Sequence, residues 1–321
     1  MIKNSTDLDT TIILRALSIV AIVAGHFHVG FFVGGAFFLI ALAGFNFVRY
    51  TLPKINLDEP NGFSLTHFFS TYFNFVKKII IPTCLYLTFV YVVLGEFHVY
   101  GLLLVSNFIG PGYANGLSFW FIEVLIQIYL VFSLIFLFYP LRNYLRKNAF
   151  FFFFSLTILS YLFRVMSFLI FDTSDLLHRL PHLMLYMFAI GGTIALSDSI
   201  SKKLITTCLV VFVSLQPLIT DFGDKYSFLF FSCLAILWMP VVTVPKLLSN
   251  FFKVIAMSSL FIYLVHFQAR SLLQKVWTNP PPLVSVVFAI FVGIICSYLW
   301  KRRKFYLVIV KGMFYKKNIA N

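Results

Sequence analysis

Apolar stretches of about twenty residues recur along nearly the whole chain, separated by short polar loops. A run of that length is what an α-helix needs to cross a bilayer. The bilayer core holds no water to satisfy backbone polar groups, so each span must satisfy its own. About ten such stretches can be counted, over 10–29, 31–50, 79–96, 117–139, 149–171, 180–196, 204–219, 227–242, 254–273 and 283–300. The expected fold class is therefore all-α, a polytopic transmembrane helical bundle. Residues 1–9 form a polar tail, 10–300 the membrane domain and 301–321 a basic tail lying along the membrane surface.

Charge tests the count. With the N-terminus cytoplasmic, the inner side holds 19 Lys and Arg residues and the outer side four (Arg179, Lys225, Arg270 and Lys275), with Arg15 and Arg164 left inside spans. Cytoplasmic loops carry such an excess, so the rule supports an even number of spans with both termini inside. The net charge of +14 is thus spent on topology, and no basic stripe with interleaved aromatics points to nucleic acid. Cys84, Cys208, Cys233 and Cys296 fall in four different spans without a CxxC or Cys/His ligand spacing, so neither a disulfide framework nor a zinc site is expected. His178 and His182 have i, i+4 spacing, but Pro181 lies between them and no third ligand is evident.

Between the spans, 67–78 reads as an interfacial segment ending in Lys77 and Lys78, and 97–116 as a long outer loop or a partly re-entrant segment. The second span is rich in small residues, which let helices approach closely in lipid, and Gly191-Gly192 reads as a packing notch. The first apolar stretch is read as a retained helix, since no convincing cleavage site follows it.

The first span, TTIILRALSIVAIVAGHFHV, carries Arg15 and His26. Ionisable side chains within a membrane are expensive and usually serve a function or pair with a neighbour. Eleven residues is almost three helical turns, so Arg15 and His26 share a face, about 16 Å apart along the axis, with Ser18 on the same stripe. A guanidinium near one end can hold a phosphate, and an imidazole at depth can act as a base. The plain alternative is an Arg that snorkels to headgroups and a satisfied bundle histidine.

Other spans add candidates. Glu123 is the sole carboxylate well inside a span, placed to orient His26, bind an acceptor hydroxyl or pair with Arg164. Trp120, three residues earlier, can stack on a sugar or anchor the helix at the interface. Arg164 must face the bundle interior, and Tyr263 with His266 is placed to line the same cavity as His26.

These residues resemble a family. LRALSIVAIVAGH is similar to the opening Arg…His signature of the acyltransferase-3 family of integral membrane acyltransferases. GAFFLIALAGF, KKIIIP, FWFIEVLIQIYLVF, LPHLMLYMFAIGGTIA and SSLFIYLVHF resemble that family's later segments in order. The resemblance implies transfer of an acyl group, commonly acetyl, from acyl-CoA to a hydroxyl of a cell-envelope glycan or lipid-linked sugar, in the inner membrane. It implies catalytic roles for Arg15 and His26 and contact of Arg15 with the CoA phosphates; Lys77 and Lys78 stand where the family has arginines before its third helix and are placed to make the same contact, while Glu123 is the candidate orienter from its own position in the fourth span. It leaves Trp120, Arg164, Tyr263 and His266 as acceptor-side candidates, and no resident metal. Whether His26 deprotonates the acceptor or carries the acyl group itself stays open. Two departures stand out: Phe37 and Ala43 occupy positions where the family often has an acidic residue and a serine. The competing readings are a transporter or flippase of a glycan or lipid-linked precursor, and a non-catalytic membrane subunit.

Overall fold

The computed structural model describes residues 5–29, 34–55, 65–109, 119–170, 179–214 and 223–319. The turn near Gly30, the loop over 56–64, residues 110–118 and His178 lie outside the described residues. The described residues are 85% helical. Its helices are α1 (Thr10–His26), α2 (Gly35–Asn46), α3 (Leu65–Leu94), the single turn α4 (Val99–Leu102), α5 (Trp120–Leu137), α6 (Tyr139–Lys147), α7 (Ala149–Ile170), α8 (Pro181–Ala195), α9 (Ile200–Ser214), α10 (Gly223–Trp238), α11 (Lys246–Val276) and α12 (Pro282–Ile319). Six described segments are long and apolar enough to cross a membrane: α2 with the π-helical turn over Phe47–Thr51 and the 3₁₀ turn over Leu52–Lys54 that extend it, most of α3, α5, α7, α11 and the first part of α12. Shorter apolar helices lie at Thr10–His26, Pro181–Ala195 and Tyr226–Trp238.

Three elements differ from expectation. Ser5–Asp9, read as a polar tail, is a strand (β1) paired antiparallel with Val241–Pro245 (β2), Ser5 opposite Pro245 and Asp9 opposite Val241. Alternation across β1 puts Leu8 in the core while its neighbours stay wet, so a polar composition concealed a one-sided strand. Next, 67–78 is not a separate interfacial helix. It is continuous with the following span as the 30-residue α3, despite Pro82. A membrane helix tolerates an internal proline; beside it the Thr83 hydroxyl donates to the Ile79 carbonyl at 2.7 Å. Finally, α12 does not stop at Trp300. At about 1.5 Å per residue its 38 residues span roughly 57 Å, well beyond a hydrocarbon core.

Local chemistry sets the ends of α1. Asp9 caps it, accepting from the Thr11 backbone N–H at 2.9 Å, and also meets Arg49 beyond α2 at 3.3 Å. The Thr10 N–H donates to the Pro240 carbonyl at 3.0 Å and its hydroxyl to that of Met239. At the other end His28 adopts a left-handed conformation (φ 58°). The Val29 N–H reaches the Ala24 carbonyl at 2.9 Å, and that of His28 reaches Gly25 at 3.3 Å. This is a Schellman end, and it leaves His26 as the last helical residue.

In lipid, apolar area does not drive helices together, so backbones must come close. α2 and α8 do so at two glycines. A Cβ on Gly44 would overlap the Phe188 carbonyl, and one on Gly191 would overlap that of Ala41. A Cβ on Gly192 would run into the Phe153 ring of α7. Around this crossing sits an aromatic core, with the Phe47 ring 5.6 to 6.2 Å from those of Tyr129, Phe132, Phe136 and Phe188. α1 lies against α2 and α11, and α11 against α12.

Candidate functional site

Arg15 sits in the second turn of α1, where two cavities meet. One, about 430 Å³, runs between α1, α2, α3, α5 and α11, from Arg15, Asn46 and Tyr50 past Ala43, Ile79 and Tyr129 to Phe121 and Tyr263. The other, about 350 Å³, extends from the same Arg15, Asn46 and Tyr50 to Thr11, Lys253 and Met257 at the sheet end of the molecule. Arg15 is in neither a salt bridge nor a hydrogen bond among the described residues, and no described carboxylate lines either cavity. A guanidinium withdrawn from water without a counter-charge is costly. Lys253 lines the smaller cavity with Arg15, so the described side chains place two cations and no carboxylate around that space.

At the far end of α1, His26 Nδ1 lies 2.8 Å from Nε2 of His266 on α11. His266 Nδ1 in turn lies 2.6 Å from the Tyr263 carbonyl. The two imidazole planes agree within 9° with centroids 4.9 Å apart. The N···N contact and the two ring radii account for that separation, so the rings lie edge to edge in nearly one plane. Phe267 packs on both, 4.1 Å from His266 and 5.0 Å from His26. His26 is half-buried, while His266 is only 1% exposed. Tyr263 connects the two centres: it lines the inner end of the larger cavity, and its ring is 5.7 Å from that of His266. Tyr263 is held edge-on by Phe119 and Phe121 at 5.8 and 5.4 Å.

The remaining candidates lie elsewhere. Glu123 is buried but turned toward the α4–α5 segment, accepting from the Ser106 hydroxyl at 2.5 Å and the Asn107 N–H at 2.7 Å. Gln127, one turn on, exchanges two hydrogen bonds with the Asn107 amide at 2.8 and 2.9 Å and donates to the Leu104 carbonyl at 2.9 Å. Together they clamp the segment over 97–109 onto α5. Arg164 donates to the Leu183 carbonyl at 2.8 Å and to the Tyr226 hydroxyl at 2.7 Å, with its guanidinium over Phe168 and Tyr186. No ion pair joins it to Glu123 among the described residues. Trp120 is covered by the Arg179 guanidinium at 5.8 Å. Lys77 lies over the Phe73 ring on its own helix at 6.0 Å and Lys78 is exposed; neither lines the described cavities, although Phe75 and Ile79 beside them do.

Ser18 is fully buried and bonds back to the Leu14 carbonyl at 2.6 Å, where its own carbonyl faces Gly35. Phe37, at a departure from the family pattern, stacks on Tyr226 at 5.5 Å; Ala43, at the other, lines the cavity. The polar groups that α2 and its extension bring to the cavity are instead Asn46 and Tyr50. Asn46 lies three residues from Ala43, one turn along the same face, and this was the signal available in the sequence. Lys253 was legible only as a topology charge.

No family model, curated protein or solved structure matches this chain.

Proposed function

We propose that the chain is an integral membrane acyltransferase that moves an acyl group, acetyl in the first instance, from acyl-CoA to a hydroxyl of a cell-envelope glycan or lipid-linked sugar. One observation carries the reading. An unpaired guanidinium, Arg15, stands in a cavity that leads to Tyr263, and Tyr263 packs on a histidine pair whose outer member is half-buried. A cation to hold phosphate at one end and a base at the other is the layout a long thioester donor with terminal phosphates requires. The roughly 16 Å rise from Arg15 to His26 suits its extended arm.

In this reading the N-terminus is cytoplasmic in an inner membrane, and the donor enters from the sheet end. Its phosphates meet Arg15 and Lys253, with Asn46 and Tyr50 beside them. The arm passes along α1 to Tyr263. His26 accepts the acceptor's hydroxyl proton as that oxygen attacks the thioester carbonyl. The C–S bond breaks, the CoA thiolate leaves, and the proton on His26 passes to it. Atoms and charge balance without a metal or redox partner.

The test is to incubate membranes holding wild-type or His26→Ala protein with acyl-labelled acetyl-CoA and envelope glycan. Label reaching the glycan with wild type alone supports the reading. A wild-type protein that binds no CoA and moves glycan or lipid-linked sugar without consuming it removes the reading and leaves a transporter.

A further inference from the structure

The histidine pair carries a constraint on its own protons. A backbone carbonyl can only accept, so the 2.6 Å contact from His266 Nδ1 to the Tyr263 oxygen places a proton on that nitrogen. His266 lies 1% exposed among Phe27, Tyr263 and Phe267, and its partner across the contact is another imidazole. A charged imidazole in such a shell, without a carboxylate, is costly. His266 is therefore neutral, with its one proton on Nδ1 and a lone pair on Nε2. That lone pair must accept from His26 Nδ1, 2.8 Å away in the shared ring plane. His26 is left with its own lone pair on Nε2.

We propose that His266 is a positioning residue that locks His26 into the Nδ1–H tautomer and so presents His26 Nε2 as the proton acceptor. The chain runs from the Tyr263 carbonyl through His266 to His26, and each member fixes the proton of the next. When His26 Nε2 takes a hydroxyl proton, its Nδ1–H bond to His266 becomes charge-assisted and strengthens. His266 thus favours the charged form of His26 only once the proton has arrived. The role in transfer rests on the acyltransferase reading; the tautomer does not.

The experiment is therefore done on both levels. ¹⁵N-histidine-labelled protein in lipid nanodiscs, with the His26 signals assigned by their loss in His26→Gln, reports which ring nitrogen is protonated. The expected result is a proton on Nδ1 and none on Nε2 in wild type, and loss of that preference in His266→Phe, which keeps the ring shape without an acceptor. A proton on Nε2 in wild type, or the same tautomer in His266→Phe, overturns the proposal. In the transfer assay, His266→Phe is expected to lower kcat at least tenfold with the KM for acyl-CoA unchanged. His266→Gln can both donate to Tyr263 and accept from His26, and is expected to recover part of the loss. A wild-type kcat in His266→Phe, or a Gln variant no better than Phe, counts against the lock. If wild type transfers nothing, the acyltransferase reading falls, and the tautomer readout still decides this inference.

Discussion

His26 and His266 stand 240 residues apart in sequence and 2.8 Å apart in space. One ends α1 and the other sits two-thirds of the way along α11. The β1–β2 ladder pins the opposite ends of the same two helices. α1 and α11 are thus fastened at both ends, and the cavity lies along the face between the fastenings.

His26→Ala is expected to lower transfer by roughly 10² to 10⁴, the usual contribution of a general base, while insertion is kept and stability falls by about 1 to 3 kcal/mol because the buried His266 Nε2 loses its partner. His26 is half-buried at a helix end, so its truncation leaves no large void. Single-turnover transfer beside a melting curve in detergent checks both halves. Full activity in the variant would remove His26 from the chemistry.

Arg15→Ala is expected to raise the KM for acyl-CoA about 10- to 100-fold, the loss of one or two charge-assisted bonds. Arg15→Lys should lose less, keeping charge without the two-pronged fork. Lys253→Ala should also raise the donor KM, and Lys77→Ala should not, because the described cavities are lined by Lys253 and not by Lys77. Donor titrations on the four variants rank them. A larger effect at Lys77 than at Lys253 would relocate the phosphate end.

Gly191→Ala is expected to destabilise by about 1 to 3 kcal/mol or to rearrange the α2–α8 crossing, since the new methyl meets the Ala41 backbone and not a movable side chain. Gly95→Ala has open space around it, and its cost comes from its positive φ alone. Comparing the two by thermal unfolding in nanodiscs separates crowding from backbone strain.

Glu123→Ala removes the acceptor of the Asn107 N–H, worth about 1 to 3 kcal/mol when left buried and unpaired, and the carboxylate to which the Ser106 hydroxyl donates. The expected outcome is faster hydrogen exchange over 104–109, with the His26 tautomer unchanged. If exchange there is unaltered while His26 changes, Glu123 acts on the histidine after all.

His28→Gly is expected to stabilise by roughly 0.5 to 1 kcal/mol, because His28 holds a left-handed conformation that glycine adopts freely. Chemical or thermal unfolding measures it.

Much of the helical layout was legible because membrane spans announce themselves by length and hydrophobicity. Arg15 and His26 were legible because charge is rare there. What composition could not show was the direction in which a polar side chain spends its hydrogen bonds. Glu123 reads as a catalytic orienter from its depth alone, yet Ser106 and Asn107, in a segment with no regular period, occupy it. Lys253 reads like any loop lysine until α11 is laid beside α1. The strand Ser5–Asp9 was hidden because its partner lies at Val241–Pro245, and no local pattern reports a pairing across that distance.

The same ladder bears on biosynthesis. Strand β1 leaves the ribosome some 240 residues ahead of β2 and α11. At ordinary elongation rates that is a wait on the order of tens of seconds. Through that interval α1, with Arg15 and His26 aboard, lacks both its strand partner and His266. The contact between the two histidines is completed by one late event, the arrival of α11, so a chain released early carries Arg15 and His26 on the first helix and none of the geometry that α11 adds.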